Sequence, residues 1–246
     1  MLVPLKNIKT FTFDLPDDVS KESYDNLIFT LDSIVYLFSR YFPEIDKHPL
    51  VISPKSPKPN PVTYKDQGLI FIYTKPKQWA KAAYQFSHEL CHYMIPGEVP
   101  THLRWLEESI CEMASYYFLP KLSKYWKRTN VQLRTQDGDL YANEFINYAI
   151  DDSKKAVPFN LLDSNEISVL EKDPYLRNSN AFVSNLLLPI FKKNYKTWAA
   201  IPCLGSLSAS AALKDSLREW IELSPQKSYI GLIQIYSLFF EEEFLQ

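Results

Sequence analysis

The chain of 246 residues carries a net charge of −2, and 46% of its residues are hydrophobic while 23% are charged. This composition is typical of a globular protein, and the length suffices for one large domain or two small ones. The near-neutral charge argues against a protein built to hold nucleic acid, because such proteins normally carry a surplus of basic residues. Three cysteines are too few for a disulfide framework, and the five glycines form none of the glycine-rich phosphate-binding motifs.

Neither end of the chain carries a membrane or export signal. Residues 1–11 lack the long apolar stretch of a secretory signal, and the most apolar late segment, residues 230–240, is too short to span a bilayer. We therefore expect a soluble, cytoplasmic protein without a membrane partner.

The first third of the chain mixes helical and strand patterns. Apolar residues recur at helical spacing over residues 22–41, with Ser20 as the predicted N-cap. Strands are predicted over residues 50–53 and 68–74, the second being rich in β-branched and aromatic residues. The segment 53–61 between them contains four prolines and is predicted to be a loop.

From residue 79 onward the pattern is helical. One helix is predicted over residues 79–94, ended by Pro96 and Gly97, and a second over residues 104–119, ended by Pro120. Further helices are predicted over residues 141–150, 179–195 (with a kink or break at Pro189), 209–223 and 229–240.

These patterns predict the α+β class. Residues 1–120 are expected to form an α+β subdomain that holds a small mixed sheet and the helices of the site described next. Residues 121–246 are expected to form a mainly helical subdomain that closes a cleft.

Two of the four histidines lie one helical turn apart. His88-Glu89-Leu90-Cys91-His92 is an H-E-x-x-H motif in the helix predicted over residues 79–94, and residues four apart share one helix face. Both imidazoles can therefore ligate one ion at about 2.0–2.1 Å from each nitrogen, a distance that suits Zn²⁺. Glu89 stands beside them and can take a proton from a water polarised by that ion. The motif predicts a catalytic zinc site with Glu89 as general base.

A catalytic zinc normally has three protein ligands, so one is still missing. His102 is one option, although it falls in a loop. Glu108 and Glu112 are the other option, because residues four apart on the second helix could place one carboxylate on the metal and the other behind it. Glu107 points about 100° away from Glu108 and is expected to be a solvated charge.

The combined pattern resembles that of a known family. His88-Glu89-x-x-His92 followed by Trp105-Leu106-x-Glu108-x-x-x-Glu112 is similar to the motifs of gluzincin-type zinc metallopeptidases, a peptidase MA-like group with thermolysin-type and aminopeptidase-type members. The resemblance covers residues 68–119 and implies a zincin-like fold. It departs from the family at Ser109 and Cys111, where Gly and Ala are common, but both residues are small.

The resemblance implies a role for each site residue. Glu108 would be the third zinc ligand, and Glu112 would orient His88 by binding the far nitrogen of its ring. The segment 175–183 is similar to one that opens with the oxyanion-stabilising tyrosine of the aminopeptidase branch, so Tyr175 is expected to fill that role. The strand over residues 68–74 either lines the cleft edge, where an extended substrate can pair with it, or is a plain core strand.

We therefore expect a zinc-dependent metallopeptidase that hydrolyses a peptide or protein substrate. Two other interpretations remain open at this point. The chain could be a catalytically inactive or regulatory binding module with the same fold, or a zinc amidase that acts on a small molecule.

Overall fold

The computed structural model describes residues 1–17, 19–129, 138–209 and 212–240. It confirms the predicted α+β class, because a small five-stranded sheet is followed by a largely helical C-terminal part. Within the described residues, no helix combines the length and the hydrophobicity needed to cross a lipid bilayer.

The chain divides into two compact units. The first consists of Met1–Tyr93 and Ala114–Asp151, and the second of Met94–Met113 and Asp152–Gln246. One long helix, α3 (Arg104–Thr129), begins in the second unit and continues into the first. The subdomain boundary predicted between residues 120 and 121 lies within this helix, and it stays a prediction.

The sheet belongs to the first unit and has the strand order β1-β2-β3-β5-β4. The five strands are β1 (Leu2–Pro4), β2 (Phe11–Asp14), β3 (Leu50–Ser53), β4 (Val62–Tyr64) and β5 (Leu69–Phe71). Neighbours among β2, β3 and β5 are parallel, whereas β1 and β4 run antiparallel to their neighbours and form the two edges.

The strand predicted over residues 68–74 is the interior strand β5. Its alternative role as the edge of a cleft is wrong, because β3 and β4 pair with it on both sides. The edge position is taken by β4, which the sequence pattern did not predict. Gly68 makes the turn between the two strands possible: it has a φ of 57°, and a Cβ there would meet the carbonyl oxygen of Pro49.

Alternating apolar residues bury the inner face of the sheet. Phe11 and Phe13 of β2, Ile52 of β3 and Ile70 of β5 are all fully buried. Each such side chain stabilises the fold by about 1.5–3 kcal/mol relative to an exposed one. This burial explains why strands of three or four residues persist.

Helices α1 (Asp25–Ser39) and α2 (Trp79–Tyr93) pack against each other in the first unit. Both were predicted, but α1 begins three residues later than expected. Ser20 precedes a 3₁₀ turn, Lys21–Ser23, instead of capping the α-helix itself. The later part of α3 and most of α4 (Gly138–Ser153) complete this unit.

Helix α3 does not end at Pro120, and that prediction was wrong. A proline inside a helix costs about 3 kcal/mol because it removes one backbone hydrogen bond. Leu122 and Trp126, which follow it, are buried, and the ring of Trp126 lies 5.3 Å from the rings of Phe29 and Phe145. Burial of two large side chains, at about 1.5–3 kcal/mol each, offsets the cost of the proline.

The second unit contains the first turns of α3 and four further α-helices in the described residues. They are α5 (Ser164–Lys172), α6 (Arg177–Lys193), α7 (Leu213–Leu223) and α8 (Tyr229–Phe239), with a 3₁₀ segment, Tyr195–Ser206, after α6. Helix α5 was not predicted. Its signal is the N-cap Asp163, whose carboxylate accepts a hydrogen bond of 2.8 Å from the backbone N–H of Asn165.

Candidate metal centre

Helix α2 presents the two histidines of the motif. Its apolar stripe is buried, which fixes the rotation of the helix about its axis. His88 and His92 are only half-buried and lie one turn apart on another face. The phenol of Tyr93 donates a hydrogen bond of 3.2 Å to the carbonyl of Pro49, and burial raises its pKa. This contact ties the end of α2 to the start of β3.

The two imidazoles converge on one point. Their Nε2 atoms lie 3.1 Å apart, and the ring planes are inclined at 64°. Two nitrogens bound to one Zn²⁺ at 2.0–2.1 Å in tetrahedral geometry are separated by about 3.3–3.4 Å. The spacing of the two Nε2 atoms therefore fits a shared ion with a shift of a few tenths of an ångström.

Glu108 joins this pair. One nitrogen from each of His88 and His92 and a carboxylate oxygen of Glu108 all lie within 4.8 Å of one another, and all three side chains are half-buried. Two imidazoles and a carboxylate form a donor set found in catalytic zinc sites and in non-haem iron sites. These residues could therefore hold a metal ion, and their chemistry suits a transition metal better than calcium or magnesium.

The helices that carry these ligands are fixed by hydrogen bonds on either side of Glu108. The hydroxyl of Ser115, seven residues after Glu108 on α3, donates to the carbonyl of Tyr84 on α2 at 2.8 Å. Next to Glu108, the hydroxyl of Ser184 on α6 lies 2.7 Å from the carbonyl oxygen of Ser109 and 2.6 Å from that of Asn180 on its own helix, so it donates to one of them at a time. The small buried side chain of Ser109 allows this close approach of α3 and α6.

Glu89 is buried, with 5% of its surface exposed, although it lies between two half-buried histidines. The hydroxyl of Thr63 on β4 lies 2.7 Å from Glu89 Oε2 and 2.9 Å from the main-chain oxygen of Glu89. A hydroxyl has one proton, so it donates to one of these oxygens at a time. Thr63 holds the Glu89 side chain against the edge strand, and sequence reasoning missed it because its partner is 26 residues away along the chain.

Two acidic neighbours on α3 differ in their surroundings. Glu107 is buried, with 8% exposed, so the prediction that it is a solvated charge was wrong. The cause is the tertiary packing around this part of α3, which also buries Trp105 and Leu106 fully. Glu112 is half-buried one turn beyond Glu108, and its expected contact with His88 stays a prediction.

His102 and Tyr175 lie elsewhere in the described chain. His102 precedes α3, and its Nε2 lies 3.0 Å from the hydroxyl of Ser216 on α7. It is not part of the group formed by His88, His92 and Glu108. Tyr175 precedes α6 and is 65% exposed, and its backbone N–H donates to Asp173. Its role as oxyanion donor stays a prediction.

Comparison of the chain with protein-family models, with curated proteins and with solved structures gave no match. A function for this protein is therefore inferred from the group formed by His88, His92 and Glu108.

Proposed function

We propose that the protein is a zinc-dependent metallopeptidase. The observation that carries this proposal is the group formed by His88, His92 and Glu108, in which three ligand atoms lie within 4.8 Å of one another. Glu89 adds support, because a structural metal site needs no general base, and this buried carboxylate follows His88 in the sequence and is held by Thr63.

In the proposed reaction, His88, His92 and Glu108 hold the ion in place. Bound there, Zn²⁺ would polarise a peptide carbonyl and lower the pKa of a water to about 7. The carboxylate of Glu89 takes a proton from the attacking water and delivers it to the leaving amine. Its hydrogen bond with Thr63 restricts the carboxylate to one orientation during both transfers.

Two further roles belong to the proposal by resemblance to gluzincins. Glu112 would accept a hydrogen bond from the far ring nitrogen of His88 and so fix its tautomer. Tyr175 would donate a hydrogen bond from its phenol to the oxyanion that develops on the carbonyl oxygen.

A peptide is the substrate that the edge strand favours. β4 packs against α2, and Thr63 in its middle contacts Glu89. No strand pairs with the outer side of β4 among the described residues. An extended peptide can add to such an edge through backbone hydrogen bonds, which would bring a peptide bond next to Glu89.

The direct test compares the wild-type protein with Glu89→Gln. Both are loaded with Zn²⁺, assayed for metal content and incubated with a mixture of internally quenched peptides. We expect equal metal content and a loss of turnover of about 10²–10⁴-fold in the variant, the usual contribution of a general base. Glu98→Gln is the matched control, because Glu98 is 85% exposed in the loop between α2 and α3 and should leave turnover unchanged.

Other outcomes would contradict the proposal. Absence of bound metal, or a Glu89→Gln variant within tenfold of the wild type, rules out the mechanism. Metal binding without cleavage of any peptide would indicate the binding module. Cleavage restricted to small amides would indicate the amidase.

A further inference from the structure

One end of the sheet carries an excess of positive charge. β3 and β5 are parallel and end there, while the antiparallel β4 begins there. The two loops at this end, residues 54–61 and 72–78, are joined by a bridge between Lys55 and Tyr73. We call the lysines of these loops and of the first turn of α2 the lysine cluster: Lys55, Lys58, Lys75, Lys77 and Lys81.

The lysine cluster has no acidic counterpart nearby in the chain. Residues 54–61 and 72–81 contain no Asp or Glu. None of the five lysines forms an ion pair within the described part of the chain, and four of them are exposed. The fifth, Lys81, places its Nζ 5.0 Å from the ring centroid of Tyr73, which is itself 46% exposed.

Two other features contribute to the electrostatic field at this end of the sheet. The N-terminus of α2 points its positive dipole end toward the same loops. Asp14, the last residue of β2, and Asp17 share the N-terminal amine of Met1, and the Asp14 carboxylate lies 3.3 Å from the hydroxyl of Ser53 at the end of β3. These two acidic residues lie toward β2, so the lysines outnumber the acidic side chains where β4 begins.

The lysine cluster and the candidate metal centre lie along the same edge. Glu89 is ten residues beyond the start of α2, which corresponds to about 15 Å along the helix. β4 also leads from the lysine cluster to Glu89, because it begins at the cluster and its second residue, Thr63, contacts Glu89. An extended peptide rises about 3.3 Å per residue, so one beside β4 passes the lysine cluster within about five residues of Glu89.

We propose that the substrates are acidic peptide segments, with Asp or Glu side chains within about five residues of the cleaved bond bound by the lysine cluster. This inference rests on the proposed peptidase function. A polypeptide is favoured over a nucleic acid because the lysines continue a strand edge that offers backbone hydrogen bonds, and because the chain as a whole is slightly acidic.

The test uses quenched peptides with three Glu residues on the N-terminal or on the C-terminal side of a common cleavable centre. Matched peptides carry Gln instead. We expect kcat/KM for one of the two Glu peptides to exceed that of its Gln partner by about tenfold at low ionic strength, and high salt to remove the difference. In a variant that carries all four changes Lys55→Gln, Lys58→Gln, Lys75→Gln and Lys77→Gln, the ratio of kcat/KM for the Glu peptide to that for the Gln peptide should fall to about one.

Lys192→Gln/Lys193→Gln is the matched control, because these two exposed lysines lie at the end of α6. It should keep the tenfold ratio. Binding of the same labelled peptides to the Glu89→Gln protein, followed by fluorescence anisotropy, separates docking from cleavage.

Three other outcomes would each overturn either this inference or the proposed peptidase function. Cleavage of Glu and Gln peptides at equal rates overturns the inference and leaves the peptidase function standing. Absence of cleavage together with a lysine-dependent preference for Glu peptides in binding overturns the peptidase function alone. Tighter, lysine-dependent binding of a labelled single-stranded oligonucleotide than of the Glu peptides overturns the inference in favour of a nucleic-acid surface.

Discussion

Replacing Thr63 with valine removes one hydroxyl group from the strand beside Glu89. Valine keeps the β-branched shape that suits a strand, so β4 should remain in place. What is lost is the donor 2.7 Å from Glu89 Oε2. Because Glu89 is 95% buried, water replaces this donor poorly and the carboxylate gains freedom to rotate away from its proposed substrate.

The expected effect follows from the strength of that hydrogen bond. A hydrogen bond to a charged group contributes about 1.5–3 kcal/mol, and each 1.36 kcal/mol of barrier is a factor of ten in rate. If the bond is needed for the productive orientation of Glu89, kcat should fall by about 10- to 100-fold. KM and zinc content should stay within twofold, because Thr63 donates to the general base and not to a ligand.

The assay is steady-state cleavage of the best quenched peptide by metal-loaded wild-type, Thr63→Val and Thr63→Ser proteins. Serine keeps the hydroxyl, so Thr63→Ser should retain most of the activity. A Thr63→Val protein with wild-type kcat would refute the positioning role of Thr63. Loss of zinc in that variant would show that the hydroxyl supports the ligands instead.

Three further predictions concern stability. Removing the metal with a chelator should lower Tm by about 5–10 °C, reversibly on adding Zn²⁺, since a ligand at 100 times its Kd stabilises by about 2.7 kcal/mol; an unchanged Tm would contradict a tight site. Burial raises the pKa of Asp32 above its ordinary 3.8, partly opposed by hydrogen bonds. Folding therefore favours the neutral form of Asp32. The unfolding free energy of the wild type relative to Asp32→Asn, measured by denaturant titration, should be highest below about pH 4 and fall as pH rises. The opposite trend would contradict this. Gly205→Ala and Gly231→Ala should both destabilise, because the added Cβ meets the backbone carbonyl of Pro96 in the first case and the buried side chain of Thr197 in the second. A urea-unfolding midpoint equal to that of the wild type in either variant would contradict this.

The part of the site that follows from local helix geometry could be predicted from the sequence. His88 and His92 are one turn apart on any α-helix, and α2 is strongly amphipathic. Glu108 could be chosen only through the resemblance to gluzincins, since spacing alone left His102 and Glu112 in the comparison. The structure places Glu108 with the two histidines and His102 against α7.

The part that depends on neighbours distant in sequence could not be predicted. Nothing around Thr63 distinguishes it from other threonines, because its partner approaches only when β4 reaches the sheet edge. Glu107 looked like a surface charge, yet its helix position is enclosed by the tertiary packing. Both cases show that burial of a polar side chain is set by the fold and not by its sequence neighbours.

Element boundaries failed where packing outweighed a local signal. Pro120 indicated a helix end, but the apolar residues that follow it keep α3 intact. Strands β1 and β4 have three residues each, and they lack the longer run of β-branched and aromatic residues that predicts β5 over residues 68–74. For α5 a usable signal existed: Asp163 at the N-cap and Glu166 three residues later form a capping pattern.

The central claim is that His88, His92 and Glu108 bind one zinc ion beside Glu89. Anomalous diffraction measured on both sides of the zinc absorption edge, from crystals of the purified protein, tests this most directly. We expect one strong peak about 2.0–2.1 Å from Nε2 of both histidines and from a carboxylate oxygen of Glu108, with a position left open to solvent. A zinc-loaded crystal with no peak at these three residues, or with the ion on other side chains, would contradict it.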